Sequence, residues 1–367
     1  MTMRPERLGL AVLASVSGAF VVALRMTMEG SVGSGVVCAV VALAAAMVLG
    51  GRTACAAAVL GVLILAVPFS EPVTGVAAGL VVGGLAAGLV GTRAALGALV
   101  VGTVAGFASS PMFESIPRRY ADYLPEPVIP TTHYVAMGVF AVLLFAAFWA
   151  GLFQSAGTGD PITAADRRRF IVAGLGLPAC LLAASSFEFF ERWPLALLMI
   201  VVFVGAAFVL PGSTGMVVLA ALVTLASVAS PVYGSESGVI LVAALLAGLG
   251  VGWRWSRPVV ALALLAVGVV AEALGVFLMG MVFVPLALGM LYASVRPSSG
   301  PATVIAVTAI PLAAAIPITV QFGWTAYTPL TSALTAPYSW LWATSLVAVA
   351  ASAVGVVVLQ RRRNGGV

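Results

Sequence analysis

The chain has 367 residues, 62% hydrophobic and 8% charged, with a formal net charge of +5. A soluble domain carries about 25% charged residues, so this composition cannot cover a surface in water, and disorder is excluded because it needs low hydrophobicity and high charge. All 17 basic residues are arginine, which removes the Schiff-base lysine of retinal proteins and pyridoxal enzymes and the lysine of a Walker-type phosphate loop.

What remains is an all-α polytopic membrane protein. A crossing helix needs about 20 apolar residues, and helices pair their own backbone groups inside lipid. Apolar runs bounded by charges, turns or aromatic residues fall at 8–24, 35–50, 54–69, 73–91, 94–110, 133–153, 170–186, 193–211, 214–230, 237–253, 258–271, 275–294, 301–320 and 338–360. They predict 14 transmembrane helices, within a range of 12–14 because several runs are short and tightly joined.

Arginine marks cytoplasmic loops. With Arg4 and Arg7 inside, successive inward crossings end at Arg52, Arg93, Arg167–Arg169, the 212–214 turn, Arg254/Arg257, Arg296 and Arg361–Arg363. Thirteen arginines then lie inside, and Arg25, Arg118, Arg119 and Arg192 outside. Most acids run the other way: only Glu6, Asp160 and Asp166 fall inside. Both termini are predicted cytoplasmic, in the plasma membrane. The whole chain, 1–367, reads as one integral membrane domain with an outer loop at 111–132, an inner loop at 154–169 and an outer loop at 321–337.

Along the chain, the fourth run carries Gly75, Gly79 and Gly83, then Gly84 and Gly88. Small residues four apart share a helix face and let two backbones approach, so this segment is predicted to pack closely on a neighbour. The outer loop that follows the fifth run holds Arg118 and Arg119, with His133, the one histidine, just beyond it. Paired arginines can fork onto a phosphate and a histidine can move a proton; these three are the anion-binding candidates. Glu188 and Glu191, three apart on one helical face, stand at the outer end of the seventh run. Between Arg257 and Arg296 lies Glu272. Both arginines belong on one side, so a hairpin of two helices with Glu272 at its outer tip is predicted rather than one long helix, with a re-entrant pair as the alternative. Glu188, Glu191 and Glu272 are the candidates for coupling or substrate binding, because ionisable groups near the bilayer interior are costly and mark function.

Cys38, Cys55 and Cys180 sit apart in apolar runs, giving no disulfide framework and no Cys/His metal site. No cofactor, metal or nucleic-acid partner is expected, and no catalytic residue stands out. The bilayer is the sure partner, with other membrane subunits a second expectation. Helix count, small-residue faces and the prolines Pro178, Pro211, Pro285, Pro311 and Pro317 favour a secondary transporter, permease or flippase working by alternating access. The substrate is not readable. The alternatives are a non-catalytic membrane subunit or scaffold, and a membrane enzyme acting on a lipid phosphate at the outer face.

Overall fold

The computed structural model describes residues 5–29, 32–67, 69–89, 93–113, 131–153, 163–185, 193–210, 214–228, 235–295, 299–315 and 338–364. These form fourteen α-helices, and no strand occurs among them: α1 (Pro5–Glu29), α2 (Val32–Val48), α3 (Gly51–Leu65), α4 (Glu71–Gly88), α5 (Arg93–Phe113), α6 (Thr131–Trp149), α7 (Ala164–Ser185), α8 (Trp193–Val209), α9 (Thr214–Val228), α10 (Ser235–Arg254), α11 (Pro258–Ala273), α12 (Phe277–Ser294), α13 (Gly300–Ala315) and α14 (Tyr338–Asn364). Three contain stretches long and apolar enough to cross a bilayer by length and composition: Pro5–Met26, Glu71–Gly88 and Ala343–Arg362. The other apolar helices are shorter.

Helix ends follow local chemistry. Ser70 is extended ahead of α4, with Pro72 in the first turn, where a missing N–H costs nothing. At α7, Thr163 Oγ1 accepts from the Asp166 N–H at 3.1 Å and donates to Asp166 Oδ2 at 2.8 Å, which closes the first turn on itself. Between α11 and α12 the chain reverses over Leu274, Gly275 and Val276, with Gly275 at φ +81°. A side chain in that left-handed region is strained. The stretch between Arg257 and Arg296 is therefore two helices, and Glu272 lies in the last turn of α11.

The helix contacts repeat. Within α1–α6 the pairs α1·α5, α2·α4, α3·α4, α1·α6, α1·α4 and α3·α6 pack together. Within α9–α14 the pairs α9·α13, α10·α12, α11·α12, α9·α14, α9·α12 and α11·α14 do the same. Each is the first set moved on by eight helices. The interface between the halves keeps the exchange: α2·α13 answers α10·α5, α4·α13 answers α12·α5, and α5·α13 maps onto itself. Inside each half a second symmetry holds. Exchanging the first three helices for the last three turns α1·α5 into α4·α2 and α1·α6 into α4·α3. Helices α7 and α8 stand between the halves, α7 against α2 and α13, α8 against α9 and α14.

Glycine sets the closest approaches. A Cβ on Gly75, Gly79 or Gly83 would lie 2.5, 2.8 and 2.5 Å from the carbonyl oxygens of Ser34, Cys38 and Ala42 on α2. Both series climb by four, so α2 and α4 run parallel. A Cβ on Gly84 would lie 2.5 Å from the Ala54 carbonyl oxygen of α3, and one on Gly88 would strike the Phe153 ring. A Cβ on Gly106 of α5 would lie 2.7 Å from the Phe20 carbonyl oxygen of α1. In the second half, Gly248 and Gly252 of α10 face the carbonyls of Leu286 and Met290, while Gly289 of α12 faces that of Leu245. Small residues at these positions let the helices touch backbone against backbone, which gives close van der Waals packing. An interhelical hydrogen bond adds to it, from Ser352 Oγ on α14 to the Leu219 carbonyl on α9 at 3.3 Å.

Candidate functional site

Two ionisable side chains are fully buried among the described residues, Arg25 and His133. Their meeting follows from the register of α1 on α6. A Cβ on Gly18 would strike the Phe140 ring at 2.7 Å. The two helices are antiparallel, so seven residues further along α1 and seven back along α6 bring Arg25 to His133. The guanidinium is near enough for its charge to act on the ring. Neither ring nitrogen of His133 makes a hydrogen bond among the described residues. Tyr134 stands edge-on to the imidazole, with centroids 6.3 Å apart.

The position suits the arginine. Arg25 lies near the C-terminal end of α1, where exposed carbonyls favour a cation. His133 is in the first turn of α6, where free N–H groups favour an anion. The arginine, the imidazole and the N-terminus of α6 thus lie at the same end of the α1–α6 pair. Arg25 is the member that sequence reasoning missed. Its only trace in the sequence was as an arginine on the wrong side of the charge pattern.

A second feature lies at the junction of the halves. A cavity of about 20 Å³, room for one water, is bounded by Met26 of α1, Cys38 of α2, Val82 of α4, Thr103 of α5 and Thr308 of α13. Helices α5 and α13 are counterparts in the repeat, and each contributes one buried threonine. Thr103 Oγ1 donates to the Leu99 carbonyl at 2.9 Å, and Thr308 Oγ1 to the Val304 carbonyl at 2.8 Å. Each hydroxyl is satisfied within its own helix, so the lining is effectively apolar. Bonds of this kind also favour helix bending.

Of the candidates from sequence, Gly75, Gly79 and Gly83 line the α2 contact, Gly84 the α3 contact and Gly88 the contact with Phe153. His133 is buried beside Arg25. Arg118, Arg119, Glu188 and Glu191 lie outside the described residues, as does the side chain of Glu272. The three glycines at the α10–α12 contact, Gly248, Gly252 and Gly289, were also missed, although Gly248 and Gly252 carry the same four-residue spacing as α4. Among the described residues no cluster of three or more His, Cys, Asp or Glu gathers to hold a metal. Comparison with family models and with curated proteins finds no match.

Proposed function

We propose that the chain is an integral protein of the plasma membrane with fourteen crossings and both termini cytoplasmic, acting as a secondary transporter, permease or flippase by alternating access. The observation that carries this reading is the repeat. Two six-helix halves share one contact pattern, meet across a two-fold interface and each contain a nested three-plus-three exchange. Carriers are commonly built from such repeats, with one bundle rocking against the other around a site at their junction. The junction here is the neighbourhood of Thr103 and Thr308.

Membrane insertion is supported by what the helices expose. Along α6, Val135, Val139, Val142, Phe145 and Trp149 all face outward, an unbroken apolar stripe that water does not tolerate. Leu63, Leu198, Val201, Leu246, Leu278 and Val354 are exposed on other helices. Helices of 15 to 18 residues rise only about 22–27 Å at 1.5 Å per residue, and local thinning of the bilayer accommodates the shortfall.

The test measures distance between halves. In a background without the native cysteines, spin labels on Val48→Cys with Arg254→Cys report one end of the bundle, and Val67→Cys with Leu274→Cys the other. Across pH and a panel of solutes the two distances are expected to change in opposite senses. Two fixed distances under every condition, with a second protein subunit co-purifying in native mass spectrometry, would replace the carrier by a scaffold.

A further inference from the structure

We propose that the face formed by α1, α5, α6 and α10 is the docking site of a second, different membrane protein, which lays a packed pair of apolar helices across it. This goes beyond the carrier reading and takes from it only the placement of the chain in a bilayer.

The repeat shows what such a face carries when it is covered. Helix α7 packs on α2 and α13, and α8 packs on α9 and α14. Exchanging the halves turns α2 and α13 into α10 and α5, and α9 and α14 into α1 and α6. Among the described helices, none packs on α10 and α5 as α7 does on their counterparts, and none on α1 and α6 as α8 does on theirs. Burial follows the same division. Residues 300–310 of α13 are all buried, whereas α5 half-exposes Ala94, Gly97, Val101 and Ala105, three or four apart on one face. Residues 214–223 of α9 are all buried, whereas α1 exposes Leu8, Gly9 and Leu13. Between Val36 and Met47, α2 exposes only Val40 and Ala44, whereas α10 exposes Ala243, Leu246, Ala247, Gly250 and Val251.

The uncovered helices are also prepared for close approach. Within the described helices, the glycines where an added Cβ would meet nothing within 4 Å are Gly9, Gly97, Gly138 and Gly250, on α1, α5, α6 and α10, and Gly176 and Gly205 on α7 and α8. On the covered side a glycine is used for contact: a Cβ on Gly174 of α7 would lie 2.6 Å from the Leu43 side chain of α2 and 3.2 Å from that of Ile305 of α13. Small residues on a lipid-facing surface let a further helix reach backbone distance.

The occupant is a separate subunit rather than a second copy. In a second copy the helix pair of the right form, α7 and α8, is already seated on its own halves. The exchange also puts that pair and the uncovered face on opposite sides of the molecule, so copies joined through them would extend in an open row instead of closing. In the proposed topology the inner rim of the face carries exposed Arg7, Arg254 and Arg257 against one acid, Glu6. This asks for acidic residues at the inner ends of the partner helices.

The test is photocrosslinking in membranes of the cells that naturally make the chain. Benzoylphenylalanine is placed in the full-length protein at Gly250 or Gly138, and at Leu63, exposed on α3, as the control. Irradiation at Gly250 and at Gly138 is expected to attach the same foreign protein through two successive apolar segments of its sequence, and irradiation at Leu63 is not. Gly97→Trp projects into open space, so it is expected to leave the thermal midpoint unchanged and to abolish both adducts. Gly250→Trp, read from Gly138, repeats the block from α10. Gly176→Trp on α7 is expected to leave the adducts intact. Adducts with lipid alone at Gly250 and Gly138 overturn the proposal. So does an adduct between two copies of the chain, and so does a protein adduct that survives both blocking variants. None of these readouts depends on motion between the halves, so the proposal and the carrier reading can fail separately.

Discussion

Arg25 and His133 face each other across α1 and α6, in the register that Gly18 and Phe140 set two helical turns away. A buried charge costs several kcal/mol in desolvation even after relaxation. Gly18 is what allows α6 close enough for the pairing, since any side chain there would strike the Phe140 ring and Leu85. Gly18→Val is therefore expected to separate α1 from α6 and to change the His133 imidazole resonances although it touches neither residue. An unchanged imidazole spectrum in a folded Gly18→Val protein would show that the register is set elsewhere.

The α2–α4 contact gives a graded prediction. At Gly83 a Cβ would lie 2.5 Å from the Ala42 carbonyl and 2.6 Å from the Ala45 Cβ, and backbone cannot yield as a side-chain tip does. Gly83→Val is expected to destabilise by about 1–3 kcal/mol or more. Gly138→Ala on α6, with nothing within 4 Å, is expected to be neutral or to stabilise by up to about 1 kcal/mol. Thermal unfolding of both in detergent separates them, and equal midpoints would deny the close approach.

The repeat extends that prediction to the second half. Gly248→Leu should do to α10 and α12 what Gly83→Val does to α2 and α4, because these are counterpart pairs. A clear loss of the folded, monodisperse species on size exclusion is expected for each variant. Tolerance of Gly248→Leu would mean that the second half holds together by other contacts.

The α11–α12 reversal places Leu274 at an exposed tip. In a background without the native cysteines, Leu274→Cys is expected to react with an impermeant maleimide added outside cells, and a cysteine at Arg257 only after permeabilisation. Labelling of Leu274→Cys solely from the cytoplasmic side would reverse the proposed topology. Gly275→Ala, forced to φ near +81°, is expected to cost about 1–2 kcal/mol in the same thermal assay.

Carboxylates carry the coupling prediction. Once a solute that moves the inter-half distances is found, Glu272→Gln or Glu188→Gln is expected to abolish its proton-linked flux in proteoliposomes while leaving the folded protein intact. Full flux in both variants would remove these residues from the mechanism.

Much of the helix pattern was legible because the apolar runs are long and bounded by charges, glycines and prolines, which end helices. The glycine stripe of α4 was legible for a similar reason, as spacing alone puts Gly75, Gly79 and Gly83 on one face. Its partner was less so. Ser34, Cys38 and Ala42 share the same spacing on α2, but small residues are too common in this chain to stand out. The repeat was hidden because the halves keep contacts rather than residues: α4 brings the glycines to its contact with α2, whereas α10 and α12 share them. Arg25 was visible only as an exception to the charge rule, and its partner depends on a register between helices that no local pattern encodes.

The α7–α8 insert fixes how the two halves can be arranged. In the topology proposed above, six crossings would return the chain to the side on which it began, so a second unit could follow the first directly. A linker of two helices preserves that arrangement, whereas one of one or three would turn the second half upside down and break the matched pairs α2·α13 and α10·α5. The insert is thus constrained in parity rather than in sequence. With the fourteen crossings proposed above, excision of α7 and α8 together would keep the two halves in the same orientation, while loss of either alone would invert one of them.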